Sequence, residues 1–210
     1  MFANGLTTVS KSLRAALAAG VVILALAACA SPACAYSIIV IDPGHGGADP
    51  GTRWHGLMEK NLTLDVAKRV DAILRAEGMP TVMTRRTDRT VSLDTRASMA
   101  NKFRNSLLVS IHFNANRIQG ITGYETFYRS SKGKKVAVAL QKAIGEKIKG
   151  KDRGVTNTPF AVLTRTKGPA VLIECGFISN KAEANRINTA SHRQALALGI
   201  ANGILRSRRQ

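Results

Sequence analysis

The sequence predicts a single α/β domain in which a mostly parallel or mixed β-sheet is covered by helices on both faces. Two observations support this prediction. Short apolar runs that suit buried strands alternate with longer segments whose apolar residues recur every three or four positions, as in amphipathic helices. After residue 35 there is also no stretch rich in proline, glycine or serine and no internal repeat, so no linker divides this part of the chain.

The strands are predicted from two kinds of pattern. Ile38–Ile41 and Leu107–Ile111 are apolar without polar alternation, as expected of strands buried on both faces. Gly123–Tyr128 alternates between polar and apolar residues, which is typical of a strand with one exposed face. In chain order, the predicted strands are Ile38–Ile41, Thr81–Thr84, Leu107–Ile111, Gly123–Tyr128, Phe160–Leu163 and Ala170–Ile173.

The helices are predicted from periodicity and from the residues that begin or end them. Asn61–Glu77 has one apolar stripe, and Gly78 follows it as a stop signal. Because helices follow most of the strands, we expect most strands to run parallel. The predicted helices are Asn61–Glu77, a helix capped by Ser92 and ending at Arg104, Lys132–Ile148, a helix beginning near Asn180, and Ser191–Leu205.

The N-terminal segment has the composition of a secretory signal peptide. Lys11 and Arg14 precede an uncharged apolar stretch, and the Ala-Cys-Ala triplet that ends at Ala35 resembles a cleavage site. We therefore expect residues 1–35 to direct export to the periplasm or the extracellular space. Residues 36–210 are expected to form the folded domain.

Two alternatives to cleavage after Ala35 remain open. The tetrapeptide Leu-Ala-Ala-Cys that ends at Cys29 resembles a lipobox, in which case this cysteine would carry lipid and anchor the protein. A retained membrane anchor is less favoured, because the apolar stretch 15–30 is shorter than the ~18 residues that span a bilayer. Cleavage would leave Cys175 as the one remaining cysteine, so we expect no internal disulfide.

The expected domain is strongly basic. Lys11 and Arg14 supply two of the chain's net charge of +18, and residues 1–35 contain no acidic residue, so residues 36–210 keep +16. Such a charge attracts polyanions, and an exported protein meets the anionic polymers of a cell envelope first. No recognition helix, zinc-knuckle spacing or RNP-type aromatic pattern favours nucleic acid. We expect a monomer that contacts anionic envelope polymers through its basic surface.

Residues that can bind a metal or a proton follow three of the buried strands. These residues are His45, His112 and Glu174, and Glu59 precedes the first helix at the same edge. Because ligands bind at the carboxyl edge of parallel strands, we expect the four side chains to converge there. Two imidazoles and one carboxylate suit zinc, and the second carboxylate is then free to act as a base. Alternatively, Glu174 is buried against a basic side chain such as Arg85.

Four motifs in order resemble the zinc-dependent N-acetylmuramoyl-L-alanine amidases known as amidase type 3. The motifs are DPGHGGADPG, GLMEKNLTLDVA, SIHFNAN and PAVLIECGFISN, and the similarity extends over most of Ile38 to Leu205. The resemblance implies one Zn²⁺ ion bound by His45, Glu59 and His112. It also implies that Glu174, the glutamate of the last motif, is the catalytic residue.

The resemblance further implies a substrate and a reaction. The substrate is peptidoglycan, and the bond is the amide between the lactyl group of N-acetylmuramic acid and the L-alanine of the stem peptide. Glu174 would accept the proton of the attacking water. Two other functions remain open: a zinc peptidase acting within the stem peptide, and a non-catalytic wall-binding module.

Relatives linked to cell division carry a helical insert that covers the zinc until an activator removes it. Here the predicted strand Gly123–Tyr128 is followed within a few residues by the helix Lys132–Ile148, which leaves no room for that insert. We therefore expect an enzyme that requires no activator protein.

Several neighbouring residues invite functional roles that the sequence supports less well. Cys175 is expected to point into the core, because successive side chains of a strand face opposite sides. Trp54 and His55 are predicted to lie in a loop over the crevice, and His192 on the surface. Asn114 is expected to bind substrate or to shape its loop.

Overall fold

The computed structural model describes residues 36–208. The predicted signal peptide, its cleavage site and the lipobox at Cys29 therefore lie outside the described residues. Within the described part the predicted α/β class is confirmed, with one six-stranded sheet between helices. No helix of this part has the length and apolar character needed to cross a membrane.

The main sheet is mixed, as predicted. Its order is β4-β1-β5-β8-β6-β7, in which β1, β4, β5 and β8 run parallel, β6 is antiparallel to β8, and β7 is parallel to β6. Two short strands form a separate hairpin. The strands are β1 (Ile38–Pro43), β2 (Arg53–Trp54), β3 (Leu57–Met58), β4 (Thr81–Met83), β5 (Ser106–Asn114), β6 (Tyr124–Tyr128), β7 (Asp152–Asn157) and β8 (Ala170–Phe177).

Helices cover both faces of the sheet. The helices are α1 (Glu59–Ala76), α2 (Leu93–Asn101), α3 (Ser131–Gly145), α4 (Ala161–Thr164), α5 (Lys181–Ile187) and α6 (Ala190–Ser207). The larger apolar cluster joins the sheet to α1, α3 and α6, and a smaller cluster joins the opposite face to α2 and α4. The predicted cap of α2 is confirmed, since the Ser92 hydroxyl accepts a hydrogen bond from Thr95 N at 3.1 Å.

The strand predicted at Phe160–Leu163 is wrong. These residues begin the short helix α4, with Phe160 as its N-cap. Val162 and Leu163, which are adjacent in the chain, are both buried. Adjacent side chains of a strand point to opposite faces, whereas those of a helix are only about 100° apart and can enter the same core.

Strand β7 was not predicted, because its sequence, DRGVTN, carries no apolar alternation. It lies at the end of the sheet, and most of its side chains are exposed. Its pairing with β6 holds it in place instead.

The connection between β6 and α3 is short. Only Arg129 and Ser130 separate the two elements, so the predicted absence of an insert at this point is confirmed.

Candidate metal centre

Three side chains from three different elements meet at the carboxyl edge of the sheet. His45 lies in the turn after β1, Glu59 is the first residue of α1, and His112 lies near the end of β5. One ligand atom from each lies within 4.8 Å of the others. Glu59 Oε1 is 3.1 Å from His45 Nε2 and 3.0 Å from His112 Nδ1. The predicted convergence of these three residues is therefore observed.

Two buried arginines hold the backbone of the turn that carries His45. Arg96 donates hydrogen bonds of 2.7 Å to the carbonyl oxygens of Pro43 and His45. Arg85 donates to the carbonyl oxygens of Pro43 and Gly44 at 3.1 and 2.7 Å. His45 itself has a φ of 60°, in the left-handed region that non-glycine residues rarely adopt. Charge-assisted hydrogen bonds to consecutive carbonyls offset this strain.

Two glycines leave the space that the imidazoles occupy. A Cβ atom on Gly44 would lie 2.3 to 2.6 Å from three ring atoms of His112. A Cβ atom on Gly51 would lie 2.7 Å from His45 Cδ2 and 2.6 Å from Glu59 Oε2, and its φ of 63° also favours glycine. Gly44 and Gly51 are thus required by the centre and not only by the turn.

Asp49 orients His45. Its Oδ2 atom accepts a hydrogen bond of 2.7 Å from His45 Nδ1, which leaves Nε2 facing Glu59. Burial would lower the pKa of His45, but the Glu59 and Asp49 carboxylates raise it overall. A carboxylate behind a ligand imidazole is a frequent feature of metal sites. Sequence reasoning missed Asp49, although it follows His45 by only four residues.

Glu59 is held as a carboxylate. Its Oε1 atom accepts a hydrogen bond from Phe113 N at 3.1 Å, and Oε2 accepts one from Thr52 N at 3.0 Å. Burial alone would raise the pKa of Glu59, but hydrogen bonds and positive charge from His112 and His45 lower it far below its usual range. The carboxylate therefore remains negatively charged at neutral pH, the state in which a carboxylate can bind a metal ion.

Glu174 lies beside these three side chains, and its carboxylate forms no hydrogen bond or ion pair among the described residues. It is paired in register with His112 across β5 and β8. Its Oε2 atom is buried and has no hydrogen-bond partner in the described part of the chain. Burial, together with the negative charges of Glu59 and Glu125, raises the pKa of Glu174 well above its usual value. The alternative pairing with Arg85 is not observed, since that guanidinium bonds to other groups.

A cleft of about 610 Å³ gives access to the centre. His45, His112 and Glu174 line it, together with the apolar side chains of Leu93 and Phe160. The last two are 48% and 37% exposed, so the cleft offers apolar contacts next to polar groups that can carry out chemistry.

Most of the neighbouring residues have structural roles. Cys175 is buried in the larger core, as predicted, and burial raises the pKa of its thiol. Trp54 packs against the core, and His55 forms a hydrogen bond with the Ser179 carbonyl oxygen. The prediction that these two residues lie over the cleft is therefore wrong, since neither lines it. Asn114 shapes its loop by accepting a hydrogen bond from Ala115 N and donating one to Glu125. His192, predicted to lie on the surface, is partly exposed near the start of α6.

The sequence profile of the Amidase_3 family, described as N-acetylmuramoyl-L-alanine amidase, matches residues 39–206. The chain is also 37% identical over 169 residues to N-acetylmuramoyl-L-alanine amidase LytC of Bacillus subtilis (strain 168). This match covers 79% of the present chain and 34% of LytC, so the chain spans about a third of the length of that relative.

Two solved structures are similar in fold. An N-acetylmuramoyl-L-alanine amidase from Clostridium difficile 630 matches with a TM-score of 0.78 and 38% identity, over 81% of this chain and 96% of that one. The CwlD amidase from Clostridioides difficile, solved in complex with the GerS lipoprotein, matches with a TM-score of 0.78 and 26% identity, over 81% and 98% of the two chains. The range 39–206 that the family profile matches includes all four residues of the centre.

Proposed function

The chain belongs to the Amidase_3 family of N-acetylmuramoyl-L-alanine amidases, and from this membership we propose its function. On this premise it hydrolyses the amide between the lactyl group of N-acetylmuramic acid and the L-alanine of the peptidoglycan stem peptide. The observation that carries the proposal is the cluster of His45, Glu59 and His112 within 4.8 Å of one another, with Glu174 in register beside it. Metal-dependent amide hydrolysis needs such a ligand set together with a separate acid–base group.

The residues fit a zinc ion. Two imidazoles and one carboxylate, the donors of His45, His112 and Glu59, favour zinc over the hard cations magnesium and calcium. The buried and unpartnered Oε2 atom of Glu174 also indicates that a further group belongs beside it. When bound, the ion acts as a Lewis acid that polarises the amide carbonyl and increases the acidity of water.

Glu174 is the proposed acid–base residue. Its Oε2 atom would accept a proton from the attacking water and then deliver it to the departing amine of L-alanine. Burial and two nearby carboxylates raise the pKa of Glu174, which favours uptake of the proton in the first step. Asp49 would keep His45 in the tautomer whose Nε2 atom can bind the metal.

The products of peptidoglycan digestion test this function. Purified peptidoglycan is incubated with the protein, and the soluble products are identified by mass spectrometry. An amidase releases intact stem peptides that begin with L-alanine and leaves the glycan chains unbroken. Fragments cut within the stem peptide would instead identify a peptidase, and binding without release would identify a wall-binding module.

We also propose the setting in which the enzyme acts. The leader pattern in residues 1–35 supports export to the periplasm or the extracellular space. The net charge of +16 on residues 36–210 supports contact with anionic envelope polymers and does not require nucleic acid as a partner. We also propose a monomer. The two-residue link between β6 and α3, which leaves no room for an insert, supports action without an activator protein. Activity that appears only after a second protein is added would contradict the last point.

A further inference from the structure

One segment of the domain concentrates positive charge. Residues 129–153 contain nine lysines and arginines and two acidic residues, a net charge of +7 in 25 residues, against +16 for residues 36–210. Both acids already have partners: Glu146 pairs with an arginine of α6, and Asp152 accepts a hydrogen bond of 2.6 Å from a glutamine of α3. The lysines of the segment form no ion pair within residues 36–208. Their charge is therefore available to a partner.

Six exposed lysines of this segment, three on helix α3 and three between α3 and β7, make up a basic group that we call the lysine track. On helix α3, Lys134, Lys135 and Lys142 lie on the same face as Val138. Each residue of a helix turns by about 100°, and these four positions therefore fall within a sector of about 100°. Lys134 and Lys135 line a shallow depression of about 430 Å³, Lys142 lines a second one of about 450 Å³, and Val138 lines both. The lysine track consists of Lys134, Lys135, Lys142, Lys147, Lys149 and Lys151.

The lysine track ends near the candidate metal centre. Lys151 directly precedes β7, and its carbonyl oxygen accepts a hydrogen bond of 3.0 Å from Tyr124 N at the start of β6. The next residue of β6, Glu125, is paired with Glu174 on β8. Neighbouring strands lie about 4.8 Å apart, so β7 is about 10 Å from the strand of Glu174. Arg153, 3.5 Å from Glu125, continues the positive charge toward the centre.

We propose that the lysine track binds the carboxylates of further stem peptides on the same peptidoglycan strand, beyond the one at the metal centre. This inference rests on the proposed function. It extends that function from the stem peptide that is cleaved to neighbouring stem peptides of the same polymer. Stem peptides carry several carboxylates at variable spacing. Lysine, a compact charge on a flexible chain, suits such a partner better than the rigid fork of arginine. Val138, which is 50% exposed, adds an apolar contact between the charges.

Binding to peptidoglycan from which phosphodiester polymers have been removed tests the lysine track. The protein carries Glu174→Gln, so that the polymer stays intact, and its binding is measured by co-sedimentation. In this background the track variant Lys142→Gln/Lys147→Gln/Lys151→Gln is expected to bind on the order of tenfold more weakly, since each surface ion pair contributes little but the losses add. Its binding should also depend less on salt concentration.

A matched control separates the lysine track from charge in general. Lys68→Gln/Lys102→Gln/Lys167→Gln removes the same charge from exposed lysines outside the track. Equal weakening by both triple variants would overturn the proposal. So would unchanged binding after the peptidoglycan carboxylates are converted to amides, or binding that requires a phosphodiester polymer. These outcomes are independent of product analysis, which tests the proposed function itself.

Discussion

At the scale of single residues, the candidate metal centre depends on groups outside the proposed ligand set. Asp49 orients one imidazole, and Arg85 and Arg96 hold the carbonyls of the turn that carries it. Gly44 leaves room for the ring of His112. Each of these contacts can be removed without changing a ligand.

Gly44→Ala is expected to disturb the centre through His112. The new Cβ atom would lie 2.3 to 2.6 Å from the ring, which must then rotate or shift. We expect a loss of about 1–3 kcal/mol in the free energy of unfolding and roughly tenfold weaker zinc binding, measured by titration of the metal-stripped protein. Gly120→Ala is the control, because its new Cβ atom would meet no atom within 4 Å beyond its chain neighbours and its backbone is not left-handed. Zinc affinity that falls equally in both variants would contradict this account.

Arg96→Lys is expected to loosen the turn around His45. Lysine keeps the charge beside Asp42, but it cannot donate to Asp42, Pro43 and His45 in the fixed geometry of a guanidinium. Each lost charge-assisted hydrogen bond costs about 1.5–3 kcal/mol, and zinc affinity should fall roughly tenfold. Arg165→Lys, at an exposed ion pair, should change neither quantity. Wild-type zinc affinity in Arg96→Lys would show that the turn holds its shape without this arginine.

At the scale of elements, the helices α3 and α6 pack unusually closely at two glycines. A Cβ atom on Gly203 would lie 2.7 Å from the Cα atom of Leu140, and one on Gly199 would lie 2.8 Å from that of Ile144. Because the atoms in the way belong to the backbone, they cannot move aside as a flexible side chain would. The distance between the helices is therefore set by these glycines.

Gly203→Ala should accordingly destabilise the fold, although alanine favours a helix over glycine by about 1 kcal/mol. We expect overpacking to outweigh that gain, with a net loss of about 1–3 kcal/mol in denaturant unfolding. Asn202→Ala, at the neighbouring position of α6, is the control for helix propensity. A Gly203→Ala protein more stable than the wild type would mean that the helices separate at little cost.

The carboxylate of Asp71, which links α1 to β4, makes the free energy of unfolding depend on pH. Asp71 of α1 accepts hydrogen bonds from Thr81 Oγ1, Arg75 Nε and Arg86 Nη1 at 2.5, 2.9 and 3.0 Å, and so ties α1 to β4 and the residues after it. Burial would raise the pKa of Asp71, but these partners lower it overall. A pKa lowered by folding stabilises the native state above the unfolded value of about 3.9. That stabilisation is lost as the pH falls through the lower native value.

Asp71→Asn is therefore expected to cost about 1.5–3 kcal/mol at pH 7, the range for hydrogen bonds that involve a charged group. The difference from the wild type should begin to shrink as the pH falls below about 4, where the unfolded-state carboxyl takes up a proton. It should vanish only below the lower native pKa, where the wild-type carboxyl is also neutral in the folded state. Urea unfolding at pH 7 and at successively lower pH measures both values. A difference that stays constant over this range would exclude ionisation of Asp71 as its cause.

The elements also show what the sequence could and could not predict. Buried strands and amphipathic helices were predicted because apolar periodicity reports directly which side chains meet the core. Strand β7 carries no such pattern, and the four apolar residues at Phe160–Leu163 suit a short helix as well as a strand. The convergence of His45, Glu59 and His112 followed from topology, but the roles of Arg85, Arg96 and Asp49 depend on loop geometry that spacing does not report.

At the scale of the whole molecule, the order of the strands explains the site. Strands β1 and β5 bring His45 and His112 to one edge of the sheet, α1 begins there with Glu59, and β8 places Glu174 beside them. None of the four elements contains the site by itself. Chemistry at this edge therefore requires β1, β5 and β8 to be assembled together with α1.

The central claim is that these four residues form one metal-dependent hydrolytic centre with divided roles. Titrating the metal-stripped protein with zinc, while following bound metal and release of stem peptides from peptidoglycan, tests it most directly. We predict one zinc ion per chain and activity that rises in proportion to it. Glu174→Gln should bind the same single ion and release no stem peptide. Stem peptides released without metal, or by Glu174→Gln at the wild-type rate, would contradict the claim.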